Sequence, residues 1–466
     1  MRFIYTALIP LLFVVSATSQ NLESVTYLES FQKDEISSMI GLSVNYGVDL
    51  YKVRYYTPDI NGDEHVASGL ICIPQSQSRS FPLACYQHGT VGSRDDVPSN
   101  LQGGYLLAVI FASYGYVITT PDYLGLGDSP GIHPYVHAAT EASAAIDLLY
   151  AARELDAQDD TFSMNDQLFI TGYSQGGHAS MAAHQEIQTN YSQDFTVTAA
   201  ANMSGPYSLS EKMMDFTLGD NEYLTPSFIA AAMLGFKEVY PEILQDYEIE
   251  DIFQAQYVGD VLAYGNEEIT LWELNDRFIE GLISEHGVVR PRDLLIEEVV
   301  DAILNDPMSP FSVVLQDNDT YNWAPEAPTR LYYCEADDVV NFDNAILAEA
   351  EMNANGASDL LAVKSDVFTP QDHSGCVLPA SFSGILFFGA YQNILTSTEN
   401  IFDDPNLTIN NNNQILLINI PPAKYRSDNK LLLHDMSGRT IFETNTDSGM
   451  TYHDIADIPG GMYIIN

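Results

Sequence analysis

The sequence GYSQGG (residues 172–177) follows the apolar run QLFIT (residues 167–171) and precedes a stretch with helical spacing. A sharp turn from strand to helix strains the residue at its apex and crowds the neighbouring backbone. Gly172 and Gly176 therefore suit the positions two before and two after Ser174. Such a turn lifts the serine hydroxyl clear of the sheet. The stretch predicts an α/β fold in which Ser174 is a nucleophile; a purely structural turn is the alternative.

Runs typical of strands alternate with runs typical of helices on both sides of this turn. The strand-like runs are PLACYQ (82–87), YVITTP (116–121), TVTAAANM (196–203), TRLYYCEA (329–336) and LAVKSDVF (361–368). This alternation predicts crossover connections and a mostly parallel central sheet. Earlier in the chain, Asn61-Gly62 separates two strand-like runs, so the protein is expected to begin with an antiparallel hairpin.

Changes in composition divide the chain. Residues 207–326 interrupt the alternation with helix-like stretches rich in Phe, Leu, Met and Tyr, and they are too long for a loop. Residues 401–413 form a polar linker, and residues 414–466 contain short β-type runs separated by turn sequences. We expect a main domain over residues 20–400 that contains the helical insertion, followed by a small all-β domain.

Residues 1–19 have the features of a signal peptide. Arg2 precedes an apolar stretch that ends at the small residues Ala17-Thr18-Ser19. The apolar stretch is short for a membrane span, and no later segment approaches about 20 uncharged apolar residues. The protein is therefore expected to be exported and to lack a transmembrane segment.

The chain is strongly acidic, with 64 acidic and 18 basic residues and a formal net charge of −46. Such a surface repels nucleic acids and anionic membranes, which excludes both as expected partners. The simplest interpretation is a solvated acidic coat that keeps an exported protein soluble; a cationic partner or a salt-rich habitat is the alternative.

The four cysteines lie far apart, without the spacing of a zinc site. In an exported protein, disulfide bonds are the better expectation. Cys72 and Cys85 fall on consecutive strand-like runs, while Cys334 and Cys376 bracket the segments that carry the acid and base candidates below. We predict the bridges Cys72–Cys85 and Cys334–Cys376, with free buried thiols as the alternative.

A serine nucleophile needs a base, which in turn needs an acid to orient it. The histidines after Ser174 are His178, His184, His286, His373, His434 and His453. The first two follow the serine on its own helix, His286 lies in the insertion, and the last two lie in the terminal β domain. His373, just past the last strand-like run, is the predicted base.

The acid is expected at the end of the preceding strand-like run, in RLYYCEADDVVNF (residues 330–342). Asp337 is the first aspartate beyond the apolar residues and is favoured over Asp338. The alternative is that these acids only cap the following helix, which Asp343 could do alone.

Two backbone donors are expected to stabilise the oxyanion of the reaction. Gln175 begins the helix after the serine and supplies the first, and Thr90, in the loop HGT after the run 82–87, supplies the second. Asp122, in the glycine-rich sequence PDYLGLG, is a competing candidate unless that segment is only a turn. His88 is expected to support the Thr90 loop rather than to ionise.

Together these blocks resemble the α/β-hydrolase superfamily, and specifically its secreted lipase and esterase branch. The similar segments are YQHGT (86–90), PDYLGLG (121–127), the region from HPYVHAATEA (133–142), GYSQGGHAS (172–180), ADDVV (336–340) and DHSGC (372–376). The resemblance spans about residues 45–395 and implies a Ser174–Asp337–His373 triad. It also implies that the helical insertion is a cap or lid, and in some relatives the residue at the position of Asp122 belongs to the oxyanion hole.

The terminal β domain resembles the C-terminal sorting domain of the type IX secretion system, through LLLHDMSGRTIFET (431–444) and IPGGMYIIN (458–466). The resemblance implies a Gram-negative bacterium, the secretion machinery as a partner, and a secreted or surface location. A plain β-sandwich module is the alternative.

The leading hypothesis is hydrolysis of carboxylic esters through an acyl-enzyme, a reaction that needs no metal or cofactor. The apolar insertion suggests recognition of an acyl chain or aromatic group in a small ester or lipid, unless its residues serve packing alone. A serine peptidase of the same fold and a non-catalytic surface binding protein are the alternatives.

Overall fold

The computed structural model describes residues 21–396, apart from 77, 78, 160 and 368, together with five strands between residues 415 and 465. The chain divides into two compact units, Met1–Thr396 and Ser397–Asn466. The predicted signal peptide and the predicted linker lie outside the described residues.

One sheet organises the first unit. Its strands are β1 (Leu22–Phe31), β2 (Val48–Pro58), β3 (Glu64–Pro74), β4 (Arg79–Gln87), β5 (Val117–Pro121), β6 (Ser163–Tyr173), β7 (Val197–Met203), β8 (Thr329–Tyr333), β9 (Leu360–Lys364) and β10 (Leu395–Thr396). Their order is β1-β2-β3-β5-β4-β6-β7-β8-β9, and β10 pairs with β4. Strands β1, β2, β3 and β5 pair antiparallel, and the pairs from β5–β4 to β8–β9 are parallel. The predicted hairpin joins β2 to β3 through Gly62, whose φ is +83°.

Helices cover both faces of this sheet and form the insertion. They are α1 (Lys33–Ile40), α2 (Tyr105–Ser113), α3 (Ala138–Gln158), α4 (Gln175–Asn190), α5 (Met214–Thr217), α6 (Ser227–Val239), α7 (Pro241–Leu244), α8 (Ile249–Ile252), α9 (Ala255–Gly265), α10 (Leu271–His286), α11 (Glu297–Asn305), α12 (Pro310–Asp317), α13 (Asp343–Ala354) and α14 (His373–Gly389). Alternate residues of the central strands enter opposite cores: Leu83 packs with α3 and α4, whereas Ala84 packs with α2 and α14. The expected fold class, an α/β-hydrolase fold with a mostly parallel sheet, is thereby confirmed.

In the sequence, helices α5 to α12 come between β7 and β8, and they share an apolar core of their own. Val261, Leu274, Phe278 and Leu282 are fully buried in it. The same core includes Tyr135, which precedes α3, so these helices pack against the part of the unit that contains the sheet. We call helices α5–α12 the cap.

The cysteines follow only one of the two expected pairings. Cys334 and Cys376 form a disulfide, while Cys72 and Cys85 are buried free thiols. Cys72 lies on β3 and Cys85 on β4, but β5 runs between these strands. Two strand spacings, about 9–10 Å, separate the cysteines, which is too far for a bridge. The expectation of a Cys72–Cys85 disulfide was wrong because strands consecutive in sequence are not neighbours in this sheet.

The second unit contains strands β11 (Ile415–Ile420), β12 (Lys430–Asp435), β13 (Thr440–Asn445), β14 (Gly449–Asp454) and β15 (Tyr463–Ile465). Strand β11 pairs antiparallel with β14, and β12 pairs antiparallel with both β13 and β15. Among the described residues, no helix is long and apolar enough to cross a membrane.

Candidate active site

Ser174 lies at the apex between β6 and α4. Its backbone is left-handed, with φ of +62° and ψ of −125°, a conformation that costs an L-residue about 1–3 kcal/mol. A Cβ atom added to Gly172 would lie 2.0 Å from the carbonyl oxygen of Gly176, and one added to Gly176 would lie 2.0 Å from that of Gln87. Both glycines are therefore required by the close backbone approach at this turn.

His373 begins α14 and reaches back to the serine. Its Nε2 atom lies 2.8 Å from Ser174 Oγ. The Asp372 side chain caps the helix by accepting a hydrogen bond from Gly375 N, at 2.7 Å. The hydroxyl of Tyr173 donates to the carbonyl oxygen of His373, at 2.6 Å. These contacts fix the start of α14 and, with it, the imidazole.

Asp337 holds the other side of the imidazole. Its Oδ1 and Oδ2 atoms lie 2.9 and 2.8 Å from His373 Nδ1. Oδ1 also accepts hydrogen bonds from Val339 N and Val340 N, at 3.1 and 2.8 Å. Because a carboxylate accepts, Nδ1 carries the proton and Nε2 is free to accept the hydrogen of Ser174.

Asp338, the competing acid, occupies a different position. Its Oδ1 atom accepts a hydrogen bond from the backbone N of His373, at 3.1 Å, and its side chain is exposed. It therefore helps to hold the start of α14 without meeting the imidazole.

The disulfide links the segments that carry the acid and the base. Cys334 directly follows β8 and Cys376 lies in the first turn of α14, with Cα atoms 6.0 Å apart. The bridge therefore restrains the separation of Asp337 from His373.

Gln175 and Thr90 lie beside the nucleophile. Gln175 is the first residue of α4, where backbone N–H groups have no partner within the helix. Thr90 follows Gly89, and a Cβ atom on Gly89 would lie 3.5 Å from Ser174 Cβ, so this loop runs against the serine. Thr90 Oγ1 forms a hydrogen bond with Tyr135 Oη, at 2.8 Å. Gln175 and the loop of Thr90 thus both lie next to Ser174.

Asp122, the competing oxyanion candidate, has partners of its own: its backbone N donates to the carbonyl oxygen of Ser68, at 2.9 Å. Its Oδ2 accepts from Ser68 Oγ at 2.6 Å and its Oδ1 from Ser99 N at 3.0 Å. Burial raises the pKa of this carboxyl. The carboxylate therefore joins the loop after β5 to β3 and to the segment that contains Ser99.

His88 lies fully buried beneath the Thr90 loop. Its Nδ1 lies 2.7 Å from the carbonyl oxygen of Gly89, and the carbonyl oxygen of His88 accepts from Tyr123 Oη, at 3.0 Å. His88 Nε2 lies 3.3 Å from the carbonyl oxygen of Asp122, and burial lowers the pKa of the ring. Its contacts support the loop.

Two cavities meet at this site. The first, of about 70 Å³, is lined by Ser174 and by mainly apolar side chains of the cap, among them Met213, Tyr223 and Phe228. The second, of about 250 Å³, contains Thr90 and the charged residues Arg94, Asp95, Glu267, Glu268 and Glu273. Tyr135 and Gln175 line both. We call them the apolar cavity and the polar cavity.

The cap is attached to the loop that lines the polar cavity. Leu271 N, at the start of α10, donates to the carbonyl oxygen of Gly92, at 2.8 Å. The Trp272 ring covers Gly92 so closely that an added Cβ atom would lie 2.5 Å from it. Arg94 in the same loop forms an ion pair with Glu267. Cap and loop therefore share backbone, ring and charge contacts.

Sequence reasoning missed the residues behind Gln175. The ring of His178, considered and set aside as a base, places Nδ1 2.7 Å from Glu141 Oε2 and Nε2 2.8 Å from the carbonyl oxygen of Asn318. Glu141 is the one acid in AATEASAAI (residues 138–146), the alanine-rich start of α3, which was the available signal. No group of three or more His, Cys, Asp or Glu residues in the described part of the chain could hold a metal ion.

The parallel sheet, the serine at the β6–α4 apex and the imidazole facing it define an α/β-hydrolase. A family model described as secretory lipase matches residues 99–373, and the chain belongs to that family. It is a hydrolase of the lipase and esterase class. A comparison with curated proteins gave no significant match.

Solved structures of other proteins share the fold. The rice cell wall degrading esterase LipA from Xanthomonas oryzae is 26% identical, with a TM-score of 0.70, over 80% of this chain and 98% of that one. A putative hydrolase from Legionella pneumophila is 24% identical, with a TM-score of 0.68 and the same coverage. Candida antarctica lipase A is 15% identical, with a TM-score of 0.56, over 76% of this chain and 77% of that one.

Proposed function

We propose that this protein is a serine hydrolase that cleaves carboxylic esters through an acyl-enzyme. The observation that carries the proposal is the 2.8 Å distance from His373 Nε2 to Ser174 Oγ, with the Asp337 carboxylate on the opposite nitrogen. In this arrangement His373 takes the proton as Ser174 attacks the ester carbonyl, and it then gives that proton to the leaving alcohol. Water repeats the sequence to release the acid.

The oxyanion of each tetrahedral intermediate would be held by the backbone N–H groups of Gln175 and Thr90. Both lie on rigid backbone, the first at the N-terminus of α4 and the second in the loop braced by His88. Donors fixed in advance in a site of low dielectric stabilise developing charge strongly, by about 2.7–4 kcal/mol for one donor.

The two cavities support a division of the substrate. The acyl chain would enter the apolar cavity, and the alcohol would face the polar cavity. A water-sized group needs about 10–15 Å³ of such space, so the apolar cavity of about 70 Å³ holds about five to seven groups. We therefore expect the highest kcat/KM for acyl chains that place about five to seven carbons in this cavity.

Burial of each methylene contributes about 0.8 kcal/mol, or about fourfold in kcat/KM until the cavity is full. Rates on p-nitrophenyl esters from acetate to palmitate test this. A maximum at acetate would remove the apolar cavity as the acyl site, although ester hydrolysis itself would stand.

The reaction class is tested by labelling with a fluorophosphonate, which forms a covalent adduct with an activated serine. We expect stoichiometric adduct on Ser174 and hydrolysis of p-nitrophenyl butyrate, with both lost in Ser174→Ala. Folded protein that gains no adduct would favour a binding protein that only keeps the fold.

We also propose that the protein is exported, through residues 1–19 as a signal peptide and residues 414–466 as a type IX sorting domain. Mass spectrometry of the secreted protein would identify the mature N-terminus. Retention in the cell after deletion of residues 414–466 is the result expected for a sorting role, and unchanged secretion would contradict it.

A further inference from the structure

A buried polar group lies directly behind the nucleophile. The side-chain nitrogen of Gln175 donates to Glu141 Oε1, at 2.8 Å, and to His133 Nε2, at 2.9 Å. Gln175 is 2% exposed and Glu141 1% exposed. The contacts of this group are therefore determined by the protein and not by solvent.

The orientation of the Gln175 amide follows from the hydrogen bonds of His133. Its Nδ1 lies 2.8 Å from the carbonyl oxygen of Leu124, which can only accept. Burial lowers the pKa of His133 to about 4, so the ring is neutral with its proton on Nδ1, and Nε2 accepts. Both amide protons of Gln175 therefore have acceptors, and the flipped amide would face two acceptors with an oxygen.

Glu141 is held in turn by His178, whose Nδ1 lies 2.7 Å from Glu141 Oε2 and whose Nε2 lies 2.8 Å from the carbonyl oxygen of Asn318. Both ring nitrogens face acceptors, which is the pattern of a protonated imidazole. Burial opposes that charge, but Glu141 and the Asn318 carbonyl raise the pKa of His178 above its usual value. Asn318 follows α12, so the network joins α3, α4 and the cap.

We propose that Glu141 is a positioning residue that fixes Gln175, and thereby its backbone N–H, in the oxyanion hole. Gln175 directly follows the strained Ser174, so rotation of the peptide between them would swing this N–H away from the reacting oxygen. The side chain, anchored to α3 and to the loop of His133, opposes that rotation. The inference rests on the proposed function, because it assigns the Gln175 N–H to the oxyanion.

The test compares substitutions of Glu141 with a matched control on the same helix. Glu154 accepts hydrogen bonds from Asn21 N and Leu22 N. It lies 13 residues farther along α3, about 20 Å from Glu141. For Glu141→Leu we expect kcat per titrated site to fall at least about tenfold, with KM nearly unchanged, because removal of a whole donor costs about 10²–10³. Glu154→Leu should lower the melting temperature and leave kcat per titrated site unchanged.

A conservative variant separates positioning from charge. In Glu141→Gln the new amide oxygen can accept from Gln175 while its nitrogen donates to a neutral His178. Both contacts then remain, and we expect kcat within about threefold of wild type, well inside the loss of one oxyanion donor. If Glu141→Leu keeps wild-type kcat per titrated site, the proposal is overturned.

Gln175→Met removes the Gln175–Glu141 hydrogen bond by changing its donor. This variant replaces Glu141→Leu in the test if Glu141→Leu does not fold. It should lower kcat as Glu141→Leu does, and the double variant should be no slower, since both act through one contact. Wild-type kcat in Gln175→Met, or fully additive losses, would overturn the proposal. Wild-type protein that neither labels with fluorophosphonate nor hydrolyses esters would instead reject the proposed function, so the two failures are distinguishable.

Discussion

Replacing Asp337 with asparagine should abolish most activity without disturbing the fold, because the surrounding backbone decides how the new amide turns. Oδ1 of Asp337 accepts from Val339 N and Val340 N. Only an oxygen can occupy that position, so the asparagine nitrogen must take the place of Oδ2, 2.8 Å from His373 Nδ1, while the retained oxygen stays 2.9 Å from the same nitrogen. The nearer of the two atoms then carries hydrogens that repel a proton on Nδ1, so we expect the imidazole proton to move to Nε2, facing Ser174.

The size of the loss follows from the two backbone hydrogen bonds. An asparagine turned the other way would restore the active tautomer but leave both amide donors unpaired, at about 1–3 kcal/mol each. The total, about 2–6 kcal/mol, corresponds to an active population lowered by about 30-fold to 3 × 10⁴-fold. We expect kcat to fall by that factor.

The assay is p-nitrophenyl butyrate hydrolysis at saturation for Asp337→Asn, with thermal unfolding of the same preparation. Asp338→Asn is the matched control, since its carboxylate meets only the backbone N of His373. We expect the control to lose less than about threefold, far from the loss for a triad member. Activity of Asp337→Asn within tenfold of wild type would refute the tautomer argument, and a larger loss in Asp338→Asn would exchange the roles of the two acids.

Other perturbations test the cavities, the disulfide and a buried histidine. Tyr135→Ala should join the two cavities and shift the optimal acyl length upward, whereas Tyr135→Phe should keep the wild-type profile in the ester series. Replacement of Cys334 and Cys376 by serine opens a link spanning 42 residues and should lower the free energy of unfolding by about 4 kcal/mol in urea titrations; no loss would mean that the bridge is not formed. Burial lowers the pKa of His184 to about 3, and neither ring nitrogen has a hydrogen-bond partner within the described residues. The pKa of His184 in the folded protein lies below its unfolded value of about 6.5, so protonation favours the unfolded chain. Between pH 7 and pH 5 this histidine therefore lowers the free energy of unfolding by about 2 kcal/mol. Over the same pH interval, the free energy of unfolding of His184→Leu should fall by about 2 kcal/mol less than that of the wild type. An unchanged pH dependence would show that His184 does not contribute.

The local pattern of the sequence predicted the elements of the sheet and the turn at Ser174, because both depend on spacing along the chain. It also reduced the acid to two neighbours. It favoured Asp337 only as the first aspartate after the apolar run, since the two acids differ in which way a tight turn directs each carboxylate. The amides of Val339 and Val340 make that choice, and they follow the acids in the sequence without any distinguishing pattern.

Errors arose where spatial order departs from sequence order. Cys72 and Cys85 are on consecutive strands, but the later strand β5 inserts between them. The partners of Gln175 come from α3 and from the loop of His133, remote contacts that periodicity does not encode.

The attachment between Gly92 and the start of α10 bears on how enzymes of this architecture could be recombined. If the cap of this protein were grafted between β7 and β8 of a relative, it would arrive without Gly92. That residue leaves space for the Trp272 ring and accepts the hydrogen bond of Leu271 N. The exchangeable module is therefore discontinuous: it comprises the cap together with the segment from Thr90 to Arg94. Chimeras built from the cap alone should assemble poorly, and those that transfer both pieces should retain turnover.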